Sequence, residues 1–299
     1  MKSSSTLRYA LVTPARDEAE NLARLAPCIL AQHAKPVRWV IVDNGSNDGT
    51  ADVVAALAES HPWIDLVQLE GEAQPTRETA IGRALEAGMT AFSDLPDLVV
   101  KVDADVSFAP EFFTRVVSEF ERDSRLGIAS GIGYERNRKG IWKQRHGSGS
   151  GVWGATRTFR RECLEQILPL DPRLGWDGID ILKAALRGWD ARVIYGAQFK
   201  HHRPEGERDG SRWKVWVAEG ALAHYMSYRL PYLAGRTVFR ALRDPSAIGI
   251  VWGYLRSQRA SEARCSDSEV VEYLRSRQRL RQVPLRAREV LRRREVLTS

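Results

Sequence analysis

Residues 98–108 read LVVKVDADVSF. Leu98–Val102 form an apolar, β-branched run that predicts an internal strand, yet the run ends in Asp103 and Asp105. Ionised carboxylates are costly to bury unless they are paired or hold a cation. Alternate residues of a strand point to the same side, so Asp103 and Asp105 can converge on one ligand. Two hard oxygen donors suit Mg²⁺ or Mn²⁺, ions that keep some waters and accept phosphate oxygens as co-ligands. The ordinary alternative is a strand that turns into solvent at a pair of aspartates, and only the surrounding sequence separates the two.

Working outward, the first half alternates short β-type runs with helical patterns, which predicts an α/β fold with a mostly parallel, Rossmann-like sheet. YALVTPA (9–15) reads as the first strand and EAENLARLAPCILAQ (18–32) as an amphipathic helix with Leu22, Leu25, Ile29 and Leu30 at helical spacing. RWVIVDNGS (38–46) is a buried strand entering a polar turn, and GTADVVAALAES (49–60) a helix capped at Asp48 or Thr50. IDLVQLE, the helix at 77–92 and DLVVKVDAD continue the alternation. Pro14 is expected to interrupt strand pairing. In open parallel sheets ligands bind at the carboxyl ends of the strands, where the loops at 13–21, 42–50 and 103–105 converge.

The whole chain bounds the reading. Its 299 residues are 43% hydrophobic and 28% charged, which fits one large domain or a domain with an appended piece. Cys28, Cys163 and Cys265 lie far apart with no CxxC pair, a pattern that fits a reducing compartment. The N-terminus lacks a long apolar segment and no uncharged stretch reaches membrane-spanning length, so the expected location is cytoplasmic, with peripheral attachment open. Of the net charge of +7, the nine arginines and three glutamates of 271–299 supply +6, leaving +1 for the first 270 residues. A basic tail on a neutral body argues against a nucleic-acid-binding protein, which would leave the aspartates unexplained.

From about 127 to 200 the chain is rich in Gly, Arg and Trp, with an edge hairpin or loop expected there. Beyond KHHRPEGERDGSRW it becomes mainly helical, so a boundary falls near residue 205: a catalytic domain over 1–205 and a helical extension over 206–299.

LVTPARDEAENL, VIVDNGSNDGT and VVKVDADV, in this order and spacing, resemble the N-terminal half of the family 2 inverting glycosyltransferases of GT-A fold. The likeness covers residues 8–110 and continues more loosely to about 205. It implies that Thr13, Pro14, Ala15, Arg16 and Glu18 line a nucleotide pocket, with Asp43, Asn44, Arg77, Asp103 and Ala104 beside the base or ribose. Asn44 departs from the usual pattern, which has a second Asp there. Asp103 and Asp105 would hold Mg²⁺ or Mn²⁺, completed by a histidine of KHHRP: His202 by preference, paired with Arg203, or His201. Arg203 would neutralise diphosphate, and Arg160 and Arg161 would meet an anionic acceptor.

An inverting transfer needs a base to take the acceptor's proton. GWDGID (175–180) supplies Asp177, in register with the family's aspartate, with Asp180 as the alternative. The resemblance extends to bacterial members with GWDxID and HHRP motifs and an aromatic helical extension, here WKVWVAEGALAHYMSYRLPYLAGRTVF. It implies a nucleotide-sugar donor, UDP-linked by preference, and a glycan or lipid-linked acceptor. The extension and basic tail would then touch an anionic membrane, or else pack as a helical cap. A sugar-1-phosphate nucleotidyltransferase shares the architecture, but the first loop has no glycine to cradle phosphate as those enzymes do.

Overall fold

The computed structural model describes residues 7–69, 77–92, 94–137, 140–144, 152–171, 176–203 and 211–279, with the side chains of 77–79 and 176–177 outside that description. The chain divides into two compact units, Met1–Pro204 and Glu205–Ser299.

In the first unit β1 (Tyr9–Ala15), α1 (Ala19–Leu30), β2 (Arg38–Asp43), α2 (Thr50–Ser60), β3 (Ile64–Gln68), α3 (Arg77–Thr90) and β4 (Leu98–Val102) follow one another as expected. Then come β5 (Val106–Phe108), α4 (Phe112–Arg122), β6 (Leu126–Arg136), β7 (Trp142–Gln144), β8 (Thr156–Arg160), α5 (Arg161–Ile167), α6 (Trp176–Leu186) and β9 (Asp190–His201). The described strands make one sheet in the order β3-β2-β1-β4-β8-β6-β9-β5, with β7 paired to β6. β1 to β4 run parallel, as do β6 and β9, while β8 and β5 run antiparallel to their neighbours.

The sheet is a middle layer because its apolar residues alternate. Leu11, Trp39, Ile41 and Val100 face one core with Leu22, Leu25 and Ile29 of α1, Val54 of α2 and Phe113 and Phe120 of α4. Val12, Val40, Val42 and Val99 face the other, with Leu85 of α3, Leu164 of α5 and Ala184 of α6. Strands buried on both faces read as continuous apolar runs, as β2 and β4 do.

Three expectations change. Pro14 does not interrupt β1: it pairs in register opposite Val42. The carbonyls of Tyr9 and Ala15 accept from Val37 and Asn44 on the β2 side, so the even-numbered Pro14 turns its missing N–H towards β4. Pairing with β4 has already ended at Val12, so no ladder bond is lost there. The N-cap of α2 is Gly49, at φ 83°, in a left-handed conformation that glycine adopts without strain. The Gly/Arg/Trp-rich stretch does contain a hairpin, β6–β7, but its later part, β8, enters the middle of the sheet between β4 and β6.

The second unit is helical: α7 (Arg212–Tyr225), α8 (Leu230–Ala241), a short 3-10 turn (Pro245–Ile248), α9 (Gly249–Arg259) and α10 (Ser268–Arg277). Ala223, Leu233, Ala247, Ile250 and Tyr254 form its core. α7 and α9 cross at backbone contact: a Cβ on Gly220 would lie 2.1 Å from the Ile250 carbonyl oxygen, and one on Gly253 2.0 Å from that of Val217. Ser211, Asp244 and Asp267 cap α7, the 3-10 turn and α10 by accepting backbone N–H bonds.

Candidate functional site

The site begins where β4 stops. After Val102 the chain crosses to the far edge of the sheet, where β5 pairs antiparallel with the end of β9, Val106 opposite His201. That crossing carries the aspartates over the carboxyl ends of the strands. The Asp103 N–H donates to the Ala155 carbonyl (2.9 Å), and the Asp105 carbonyl accepts from the His202 N–H (2.8 Å). As a result one ligand atom each from Asp103, Asp105 and His201 lies within 4.8 Å of the others.

The charges around this trio are specific. His201 Nε2 is 3.4 Å from Asp105 Oδ1, and His201 Nδ1 is 3.1 Å from Glu135 Oε1 of β6. Glu135 sits directly opposite His201 in the β6–β9 register and is buried. Burial alone would lower the His201 pKa, but its bonds to Asp105 and Glu135 outweigh that and raise it to about 9. Burial would likewise raise the Asp105 carboxyl, yet His201, Arg203 and Lys101 hold it below the usual carboxylate range. Lys101, buried on β4, pairs with Asp103 and donates to the Gly154 carbonyl (3.1 Å).

Two carboxylates and an imidazole, with a second carboxylate fixing the far ring nitrogen, form a donor set that fits Mg²⁺ or Mn²⁺. The ion would bind Nε2, the nitrogen that Glu135 leaves pointing at Asp105. His202 is not part of this set. Neighbours in an extended chain point to opposite faces, and its Nε2 lies 2.7 Å from Ser107 Oγ while its ring meets Trp142 edge-on. The preference for His202 over His201 is therefore corrected.

Around the trio the first two loops are stitched together. Asp17, at φ 54°, donates its N–H to Ser46 Oγ and accepts the Asn47 N–H. Glu18 N–H reaches Thr50 Oγ1 and Ala19 N–H reaches Asp48 Oδ2. Asp43, buried at the tip of β2, accepts from Ser46, and Asn44 N–H donates to the Ala15 carbonyl. Thr13 is buried and accepts from Trp39 Nε1, Ala104 is buried, Pro14 half-buried and Arg16 exposed. Arg203 grips Glu18 with two 2.9 Å bonds and stands 3.7 Å from Asp105 Oδ2, which ties the first loop to the end of β9. α3 starts at Arg77, whose side chain lies outside the described residues.

Three of the expected site residues lie elsewhere. Asp180 is 2% exposed and bound by Arg157 of β8 through two bonds of 2.7 and 2.9 Å, which leaves it no access to an acceptor. Arg160 donates to the carbonyls of Phe120, Asp123 and Leu126, and Arg161 to that of Leu95. Since Arg160 pairs with Leu98 at the start of β4, both arginines sit at the opposite end of the sheet from Asp103. Asp177 is in the first turn of α6, and its side chain lies outside the described residues.

Two residues were missed. Lys101 had a signal, a lysine inside an apolar strand two positions before Asp103. Glu135 had none, because it meets His201 only through the pairing of strands 66 residues apart.

Comparison with known proteins fits this geometry. The model of the family described as glycosyl transferase family 2 matches residues 10–173. A polyprenol monophosphomannose synthase of Mycolicibacterium smegmatis is 31% identical over 183 residues, 54% of this chain and 65% of its own. An uncharacterised glycosyltransferase of Nostoc sp. is 26% identical over 203 residues, 61% of each chain. The chain thus spans less than two thirds of the length of either curated relative. In fold it is similar to a mannosyltransferase of Pyrobaculum calidifontis solved with GDP-Man and Mn²⁺, at TM-score 0.55 and 16% identity over 90% of this chain and 79% of that one. With the sheet order, the acidic turn after β4 and the family match over more than half its length in agreement, the chain belongs to glycosyl transferase family 2.

Proposed function

We propose that the protein transfers a sugar, with inversion, from a nucleoside-diphosphate donor to a hydroxyl of a glycan or lipid-linked acceptor. The observation that carries this reading is the Asp103–Asp105–His201 group at the carboxyl ends of a GT-A sheet. The similar mannosyltransferase was solved with a nucleotide sugar and Mn²⁺, and one similar relative is a polyprenol monophosphomannose synthase. The donor is UDP-linked by the sequence expectation, and a donor screen distinguishes it from a GDP-sugar.

Asp103, Asp105 and His201 would hold Mg²⁺ or Mn²⁺, which when bound offsets charge on a diphosphate leaving group. The protein's own groups do the rest. The loops at 13–21 and 42–50 receive the nucleoside, and Asp43, buried at the tip of β2 and accepting from Ser46, is the carboxylate that a ribose or base would meet there. Asp177 takes the acceptor's proton as its oxygen forms a bond to the anomeric carbon and the bond to the diphosphate breaks, with the electron pair leaving on phosphate oxygen. α6 is held for this by the Arg157–Asp180 pair, one turn after Asp177.

A thermal-shift screen of nucleotide sugars with Mn²⁺, followed by transfer assays, tests the reading. Asp177→Asn is expected to abolish transfer while sparing donor binding. Retained turnover in that variant would move the base elsewhere, and no response to any nucleotide sugar would overturn the reading as a whole.

A further inference from the structure

We infer that the second unit carries a docking face for an anionic lipid bilayer, formed by the end of α8, the 3-10 turn and α9. Each helix of a small bundle needs one apolar stripe for its own core, and α8 and α9 have it in Leu233 and in Ile250 and Tyr254. Both also carry a second stripe that is exposed. Val238 and Phe239 lie four and three residues before Leu242, which is 80% exposed. Ile248, Trp252 and Leu255 follow at spacings of four and three, with Trp252 54% exposed. This spacing puts each set on one side of its helix. Scattered surface leucines need no explanation, but six large apolar side chains in consecutive elements do.

The polar surroundings choose the partner. Arg243 stacks over Phe239 at 5.0 Å, and Arg256 and Arg259 are exposed in the last turn of α9. Between Leu230 and Arg259 the sequence has five arginines and one acidic residue, Asp244; Arg236 is paired with Glu219 of α7, which leaves Arg240, Arg243, Arg256 and Arg259. That aspartate is already engaged by Trp216, Arg212 and Ser246. A second copy seated on this face would set arginine against arginine with no carboxylate to pair. Anionic headgroups supply the missing charge, long arginine stems can lie along apolar surface with their heads in the headgroup layer, and tryptophan favours that boundary. No described helix is long and apolar enough to cross a membrane, so the unit would lie on the surface. The face sits on the end of α8, the 3-10 turn and α9, whereas the sequence alone drew attention to residues 213–239, which stop at Phe239, and to the terminal arginines. It is independent of the acceptor, since a transferase for soluble glycans anchored this way would bind vesicles equally.

The test is co-sedimentation of the full chain with vesicles of phosphatidylcholine, with and without phosphatidylglycerol. The expected result is binding that requires phosphatidylglycerol and falls at least about tenfold in Leu242→Glu/Trp252→Glu. Arg243→Glu/Arg256→Glu should show the same loss, with thermal midpoints of both variants unchanged. Absence of binding by the unmodified chain would overturn the inference, as would equal binding by both variants. So would sedimentation velocity showing a lipid-free dimer that Leu242→Glu/Trp252→Glu converts to monomer. Donor binding measured on the same samples reads the catalytic site separately.

Discussion

Asp105 answers why an internal strand should end in carboxylates: it is buried beside one imidazole and two cations, and its neighbour Asp103 is matched by Lys101. Glu135 Oε1 lies 3.1 Å from His201 Nδ1, which leaves Nε2 towards Asp105, where the proposed cation would bind. Glu135→Gln should weaken Mn²⁺ binding by about tenfold while leaving the fold intact, measured by electron paramagnetic resonance of free Mn²⁺. His201 also makes stability depend on pH. Folding raises its pKa from 6.5 to about 9, so its contribution is complete below pH 6.5 and is lost as pH rises through 9. Without divalent ions, chemical denaturation at pH 6 and pH 9.5 should differ by on the order of 3 kcal/mol, and His201→Gln should remove most of the difference. At this scale the aspartates were legible because they break an apolar run. The choice between His201 and His202 was not, because adjacent letters say nothing of which face each residue takes until the strand and its partner are known.

At the scale of elements, the Arg157–Asp180 pair links β8 to α6 with both side chains almost wholly buried. Removing one member leaves a buried charge uncompensated, so Arg157→Ala should cost about 3–5 kcal/mol in urea denaturation. In the second unit, Gly220→Ala or Gly253→Ala would drive a methyl into the facing backbone, a cost of about 1–3 kcal/mol visible as a lower thermal midpoint. The alternating strands and helices up to β4 were readable from hydrophobic period alone. β5 and β8 were not: β5 is only Val106–Phe108, and β8 owes its place to partners on β4 and β6 far away in sequence. Arg160 and Arg161 were misread for that reason. Their residue types suit an anion, but their position at the start of β4 spends them on carbonyls.

For the whole molecule, the division of charge is sharper than the tail implied. The unit Glu205–Ser299 holds 19 basic and 11 acidic residues, a balance of +8, which leaves −1 of the total +7 for Met1–Pro204. A neutral unit carries the acidic site, and a basic helical unit carries the exposed apolar stripes. The fold class and the three converging loops could be read from one sequence because a parallel sheet announces itself strand by strand. The basic face could not, because it depends on which apolar residues the helical core leaves over. The ion site is the centre of the proposed function. Calorimetric titration of UDP and GDP into the full chain, with Mn²⁺ or with EDTA, tests it in the unmodified protein and in Asp105→Ala and His201→Ala. Nucleotide should bind only with Mn²⁺ and only to the unmodified chain. Full-strength binding in EDTA, or in both variants, would contradict it.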